Sequence, residues 1–393
     1  MTIFLNDLGI VCSLGHGQHS VRNALFRADA AHGMTYTDAF SPGRIVPLGE
    51  VSVALPDDRA WPVWHRSRNN ALIAAALAEI RPSVDACLAR FGPERIAIVI
   101  GGSTSGVREG EAAMRTHRDC GQWPPDYDYR QQELASSSDF LAWCLGTAGP
   151  AHVISTACSS GAKALTSAAR LLQAGIADAV IAGGADTLCR FTLAGFMALE
   201  SVSATRCNPL SRHRNGINLG EGAALFVVSR EPGPVRLAGW GETSDAHHIS
   251  GPDPTGRGAI DAMSAAISRS GVDAAGIDYV NLHGTATLQN DLVESRAIAQ
   301  TLGVHVPVSS TKPMTGHALG AAGAIEAAFG WLTLVDNREG LLPPHWWDGQ
   351  ADHELPPLKV VTPGERLDRP LRTMLSNSFA FGGSNASLLL ARE

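Results

Sequence analysis

The sequence predicts an α/β protein built as two similar halves, and three observations carry that expectation. Short Val- and Ile-rich runs alternate with Ala-rich stretches of helical period along most of the 393 residues, the pattern of buried sheets covered by helices. The length exceeds what one hydrophobic core usually serves. A Glu-Pro-Gly-Pro break at 231–234 falls a little past the middle and sets expected halves of 1–233 and 234–393.

Taken in chain order, "MTIFLNDLGIVCSLG" is a first strand running into a glycine turn; with no basic segment and no long apolar core, it is not a signal peptide. "RIAIVIGGS" (95–103) is strand then turn. Residues 108–140 are polar and aromatic with a Pro-Pro break, an excursion from the core. Ala151–Thr156 is a short strand, followed from Cys158 by Ala162, Leu165, Ala169 and Leu172 at helical steps. "ADAVIAGGAD" (177–186) repeats the strand-and-turn design, and "AALFVVSR" (223–230) and "VRLAGWGE" (235–242) are strands on either side of the break. In the second half, 277–287 is strand then turn, 306–335 is strand, loop and helix, and 372–392 is strand, Gly-rich turn and strand.

Composition narrows the class. Hydrophobic residues make up 45% and charged residues 18%, with a net charge of −7; this is an ordinary soluble balance without the basic excess of a nucleic-acid binder. Seven cysteines without a CxxC pair suit a reducing compartment, and no apolar run approaches the length of a membrane span. The expected setting is the cytoplasm.

Chemistry concentrates in turns that follow strands, where α/β proteins usually place their sites. In "ISTACSSGAKALTSAAR" (154–170) a cysteine stands between a strand and a small-residue helix. Unpaired N–H groups and the helix dipole at such a junction favour thiolate, which would make Cys158 a nucleophile; for a cysteine taken alone, a small core residue is the commoner reading. His283 follows the apolar run of "NLHGTATLQND". "SSTKPMTGHALGAAGAIEA" supplies Lys312, His317 and Glu326, and "SNSFAFGGSNA" puts Phe381 beside two glycines. The distance in sequence between His283 and His317, without HExxH or Cys/His spacing, argues against a metal site. "GHALGAAG" is no GxGxxG, and "GGSTSG" is not the elbow of a hydrolase. A cysteine nucleophile, two histidines and a turn of backbone donors together suit thioester chemistry.

"TACSSG", "HGTAT…ND", "STKPMTGHALGAAGAIEA" and "NSFAFGGSNA" resemble, in order, the signatures of the β-ketoacyl-[acyl-carrier-protein] synthases of the I/II type. The resemblance implies a thiolase-like fold of two similar halves, each with a mixed five-stranded sheet, layered α-β-α-β-α. It implies that Cys158 accepts an acyl chain, that neutral His283 and His317 hold the enolate left by decarboxylation of malonyl-carrier protein, and that the N–H groups of Cys158 and Phe381 form the oxyanion hole. Lys312 paired with Glu326 would order His317. Thr285, Thr287, Phe379, Phe381 and Ile217 would contact substrate, and Ser105 would widen the acyl pocket. No cofactor is implied, because the substrates ride on the phosphopantetheine of an acyl-carrier protein.

The segment "NPLSRHRNGINLGEG" departs from the family's Asp-x-x-Arg-Asp-Gly-Phe at Ser211, Asn215 and Ile217, and Ala380 replaces a glycine. "RNGINLGEGAALFVVSRE" and "HGTATLQND" are closer to synthases of aryl polyene and xanthomonadin-type pigments. That likeness implies a homodimer or a heterodimer with a chain-length-factor-like subunit. The other readings kept open are a housekeeping fatty-acid elongation synthase and a non-catalytic chain-length factor. An acidic carrier protein calls for a basic rim, for which Arg66, Arg68, Arg206 and Arg212 are candidates. A thiolase would need a further cysteine after Cys207, and a chalcone-synthase relative would show Asn at His317; both fail.

Overall fold

In the computed structural model, which describes residues 2–393, five strands of the first half form a mixed sheet. They are β1 (Phe4–Cys12), β2 (Ile96–Gly101), β3 (Ala151–Ile154), β4 (Ala179–Asp186) and β5 (Gly222–Ser229). Their spatial order is β3-β2-β4-β5-β1, with β2 parallel to β3 and β4, and β5 antiparallel to β4 and β1.

The second half repeats this pattern. Strands β6 (Val235–Ser244), β7 (Tyr279–Asn281), β8 (Pro307–Ser309), β9 (Thr373–Ala380) and β10 (Ser384–Arg392) lie in the order β8-β7-β9-β10-β6. Strand β7 is parallel to β8 and β9, and β10 is antiparallel to β9 and β6. A short antiparallel pairing of Phe4 with Arg236 and Leu5 with Val235 joins the two sheets.

Helices separate and cover the sheets. Helices α1 (Arg68–Phe91) and α2 (Ser136–Leu145) pack on the outer face of the first sheet. Helix α3 (Ser160–Gln173) packs on its inner face. In the second half α4 (Arg257–Ser270) and α5 (Leu288–Leu302) form the outer layer, while α6 (Ala322–Leu334) lies inside against α3 and β9. The result is the α-β-α-β-α layering that the sequence resemblance implies. The 108–140 excursion is more ordered than its composition suggests, with a helix over Val107–Cys120 and the start of α2. No helix among the described residues is long and apolar enough to cross a membrane.

The middle layer explains the small-residue helices. Every residue of α6 is buried, as expected for a helix that is apolar all round. Helices α3 and α6 touch through backbone. A Cβ added to Gly161 would stand 2.7 Å from the amide nitrogen of Ala324, and one added to Gly323 would stand 2.8 Å from that of Ala162. Alanine and glycine are there because nothing larger permits the approach.

Farther out, His345 links two turns. Its Nδ1 accepts from the Ser310 amide at 3.0 Å, and its Nε2 donates to the Pro209 carbonyl at 3.0 Å. Burial lowers this imidazole to about 4.

Two outcomes follow from this packing. Gly323→Ala is expected to destabilise the chain by about 1–3 kcal/mol, whereas Gly195→Ala, in a surface helix with nothing within 4 Å, should be neutral or stabilising by up to ~1 kcal/mol; urea midpoints of the two variants test the contrast. His345 is neutral when folded, so its contribution is intact above the unfolded pKa of about 6.5 and is lost as pH falls toward 4. A stability lower by about 2 kcal/mol at pH 5 than at pH 7.5, and a smaller pH dependence in His345→Asn, are the expected results.

Candidate active site

The site forms where turns of the two halves meet. Cys158 lies between β3 and α3, two residues ahead of the first helical residue, and Ala157 before it takes a left-handed conformation at φ 51°. His283 follows β7 by two residues. Its amide donates to a carboxylate oxygen of Glu294 at 2.7 Å, and the Gly284 amide donates to the other at 2.8 Å. His317 sits in the turn that leads into α6. Its amide donates to the Asn218 carbonyl at 2.7 Å, and its carbonyl accepts from the Gly220 amide at 3.0 Å. The segment that departs from the family pattern at Ser211, Asn215 and Ile217 therefore holds a histidine in place through its backbone.

These turns bring three side chains together. His317 Nε2 lies 2.8 Å from Cys158 Sγ, and the rings of His283 and His317 meet edge to face with centroids 5.3 Å apart. All three side chains are nearly buried, at 6%, 2% and 2% exposure for Cys158, His283 and His317. The backbone amides of Phe381 and Cys158 both favour a charged sulfur. Phe381 begins the turn between β9 and β10, where Gly382 and Gly383 have φ of 77° and 70°. A side chain at Gly383 would also strike Asp245, with a Cβ–Cβ separation of 2.6 Å. Ala380 is extended, at φ −101°, so it fits without strain where relatives use glycine.

Electrostatics in this dry place are governed by burial. Desolvation pushes the Cys158 thiol up to about 12, outweighing the opposing pull of the Lys312 cation and the Phe381 amide. Burial thus works against the thiolate that the helix start is expected to favour. Desolvation, reinforced by Lys312, holds His283 and His317 well below the usual histidine range, so both are neutral. Lys312 itself is buried. It donates to Glu326 Oε1 at 2.5 Å and to the His283 carbonyl, fastening α6 to the end of β7.

A cavity of about 560 Å³ opens in front of the sulfur. Thr285, Thr287, Ile217, Phe379 and Phe381 line it, together with Phe196, Leu199 and Leu288, which sequence reasoning passed over. The two threonine hydroxyls are 3.1 Å apart, and Phe196 packs against Phe381 with ring centroids 5.7 Å apart.

Several expectations fail. Ser105 does not line this cavity; its backbone is left-handed (φ 45°), and its hydroxyl donates to the carbonyls of Gln131 and Glu133 at 3.1 and 2.8 Å. Arg68 is no rim residue, because its guanidinium binds both oxygens of the buried Glu221. Arg206 is turned inward to the carbonyls of Pro313, His32 and Ala31. Arg66 is half-buried, with Nε on the Trp61 carbonyl at 2.8 Å, and Arg212 is the exposed member, bonded to Gln350 at 3.1 Å.

Two positioning residues escaped sequence reading. Glu294, pushed up to about 7 by burial, is the seat of the His283 turn. Asp186, at the end of β4, accepts from the amides and hydroxyls of Ser103 and Thr104 and, at 2.6 Å, from the Gly320 amide. It thereby ties the "GGSTSG" turn to the start of the His317 helix.

Comparisons with known proteins give the family. The chain is 43% identical, with a TM-score of 0.92, to the Xenorhabdus doucetiae ketosynthase ApeO solved in complex with its chain length factor ApeC; the match covers 100% of this chain and 98% of that one. The chain belongs to the β-ketoacyl synthase family. The family's N-terminal domain matches residues 88–232 and its C-terminal domain residues 235–346. A Burkholderia phymatum β-ketoacyl synthase of known structure is 26% identical, with a TM-score of 0.85, over 100% of this chain and 99% of its own. The 3-oxoacyl-[acyl-carrier-protein] synthase 2 of Rhizobium meliloti is 39% identical over 264 residues, 62% of this chain and 61% of that enzyme. The chain thus matches about three fifths of the length of such curated β-ketoacyl synthases.

For this member of the family, labelling of Cys158 by iodoacetamide should still rise between pH 8 and 10, because the thiolate population of a group near 12 is still growing there. Mass-mapped labelling rates that level off below pH 8 would instead reveal a thiolate formed at rest.

Proposed function

We propose that the chain is a β-ketoacyl-acyl-carrier-protein synthase that condenses malonyl-carrier protein with an acyl chain held on Cys158. The observation that carries this reading is the sulfur itself. It lies 2.8 Å from a neutral histidine, with a second neutral histidine alongside and the Phe381 and Cys158 amides favouring negative charge there.

In the first half-reaction the sulfur attacks the carrier thioester as the Cys158 proton passes to the departing carrier thiol, while neutral His317 donates from Nε2. The tetrahedral oxyanion collapses between the Cys158 and Phe381 amides, and the carrier thiol leaves with the proton. In the second, malonyl-carrier protein loses carbon dioxide. Its enolate oxygen takes hydrogen bonds from His283 and His317, whose neutral state makes them donors without adding charge. The enolate carbon then attacks the Cys158 thioester, the C–S bond breaks, and the thiol is regenerated from solvent. Thr285 and Thr287 would hold the phosphopantetheine arm, and Lys312 with Glu326 would position both histidines. Removing one oxyanion donor typically costs about 3 kcal/mol in such a reaction.

Within the family, the reading we favour is extension of an aryl-primed polyene chain in pigment biosynthesis, in the cytoplasm, alongside a chain-length-factor-like subunit. Its support is the "RNGINLGEGAALFVVSRE" and "HGTATLQND" segments and the full-length likeness to a ketosynthase solved in complex with its chain length factor. Retention of Cys158, His283 and His317 supports the catalytic role over that of the partner subunit.

Intact-mass measurement on the chain, alone and with the partner subunit from its operon, tests the proposal. Carrier proteins loaded with polyenoyl or aryl-polyenoyl groups should add one acyl group, which Cys158→Ala abolishes. Loading by saturated donors alone would indicate fatty-acid elongation, and no loading under any condition would sink the condensing reading.

A further inference from the structure

The sequence argues against a metal site because His283 and His317 are 34 residues apart, but the fold removes that argument. Cys158 Sγ and one ring nitrogen from each histidine all lie within 4.8 Å of one another. A tetrahedral zinc ion with bonds of about 2.0–2.1 Å to nitrogen and 2.3 Å to sulfur sets its ligands roughly 3.3–3.6 Å apart. Small rotations about the side-chain bonds separate the present arrangement from that one. We propose that Cys158, His283 and His317 form an inhibitory Zn²⁺ site, filled only when the thiol carries no acyl group.

The ligand set is that of a three-coordinate protein site with an open position, and the cavity in front of the sulfur leaves room for a water as the fourth ligand. On binding, a Zn–S bond forms as the thiol proton leaves to solvent, each imidazole gives one lone pair, and no redox change occurs. The site also lacks what a permanent metal centre has. The Nδ1 atoms of both histidines are buried without a hydrogen-bond partner among the described residues, so nothing orients the rings for the metal from behind. That makes the ion a reversible occupant. Acyl transfer and zinc compete for one sulfur, so free zinc would act against the acyl donor. The metal site rests on these three side chains alone, whereas its inhibitory role rests on the acyl-transfer reading; zinc binding is read without any acyl donor, so the two fail separately.

The test uses the full chain, freed of metal. Equimolar Zn²⁺ should slow iodoacetamide labelling of Cys158 at least tenfold, leave the exposed Cys120 unchanged, and be reversed by EDTA. Co²⁺ in place of zinc should give a thiolate-to-cobalt charge-transfer band and tetrahedral visible bands, both lost in Cys158→Ser. Undiminished labelling of Cys158 under zinc would overturn the proposal. So would a cobalt spectrum that survives Cys158→Ser and disappears in Cys120→Ser, which would place the metal on the surface.

Discussion

The contact on which the rest of this structure depends is the crossing of α3 and α6 at backbone distance. Gly161 and Ala162 on one helix meet Gly323 and Ala324 on the other with no side chain between them. The turn before α3 carries Cys158 and the turn before α6 carries His317, so the closeness of the helices becomes the closeness of sulfur and nitrogen. A larger residue at the crossing would push the helices apart, and a shift of even 1 Å at reacting groups is enough to cost a reaction dearly. The Lys312–Glu326 pair spans the same region. A buried ion pair is weak evidence for stability, but here it fixes the end of β7 against α6 and so sets where His283 stands.

Exclusion of water governs the chemistry as strongly as the geometry does. The same burial that discourages a thiolate at Cys158 discourages an imidazolium at His283 and His317. A charged thiolate–imidazolium pair is thus avoided at rest, and the site consists of neutral groups beside one compensated cation. Such a place suits a reaction in which charge appears only on substrate oxygen atoms, where fixed N–H groups await it.

Much of this was legible in the sequence. Strand runs such as 95–103 and 177–186 announced themselves by composition, and Cys158, His283 and His317 stood in turns after strands because short polar motifs there are hard to explain otherwise. What escaped depends on tertiary pairing. Nothing in the spacing of Arg68 or Arg206 reveals a carboxylate or a row of carbonyls waiting inside. The left-handed backbone at Ser105 is unmarked by glycine, so nothing in the sequence shows its side chain turning away from the cavity. Asp186 and Glu294 read as ordinary acids until the turns they hold are seen folded around them.

The repeated strand order has a chemical consequence. Strands β2, β3 and β4 with α3 correspond in topology to β7, β8 and β9 with α6, so the turn bearing Cys158 and the turn bearing His317 occupy equivalent places in the two halves. Cysteine and histidine here are, in effect, one position that the chain visits twice. A perfectly symmetric molecule would set two thiols or two imidazoles face to face. Divergence at this single paired position turns a structural echo into an asymmetry, and it leaves neither half with the whole cluster of Cys158, His283 and His317.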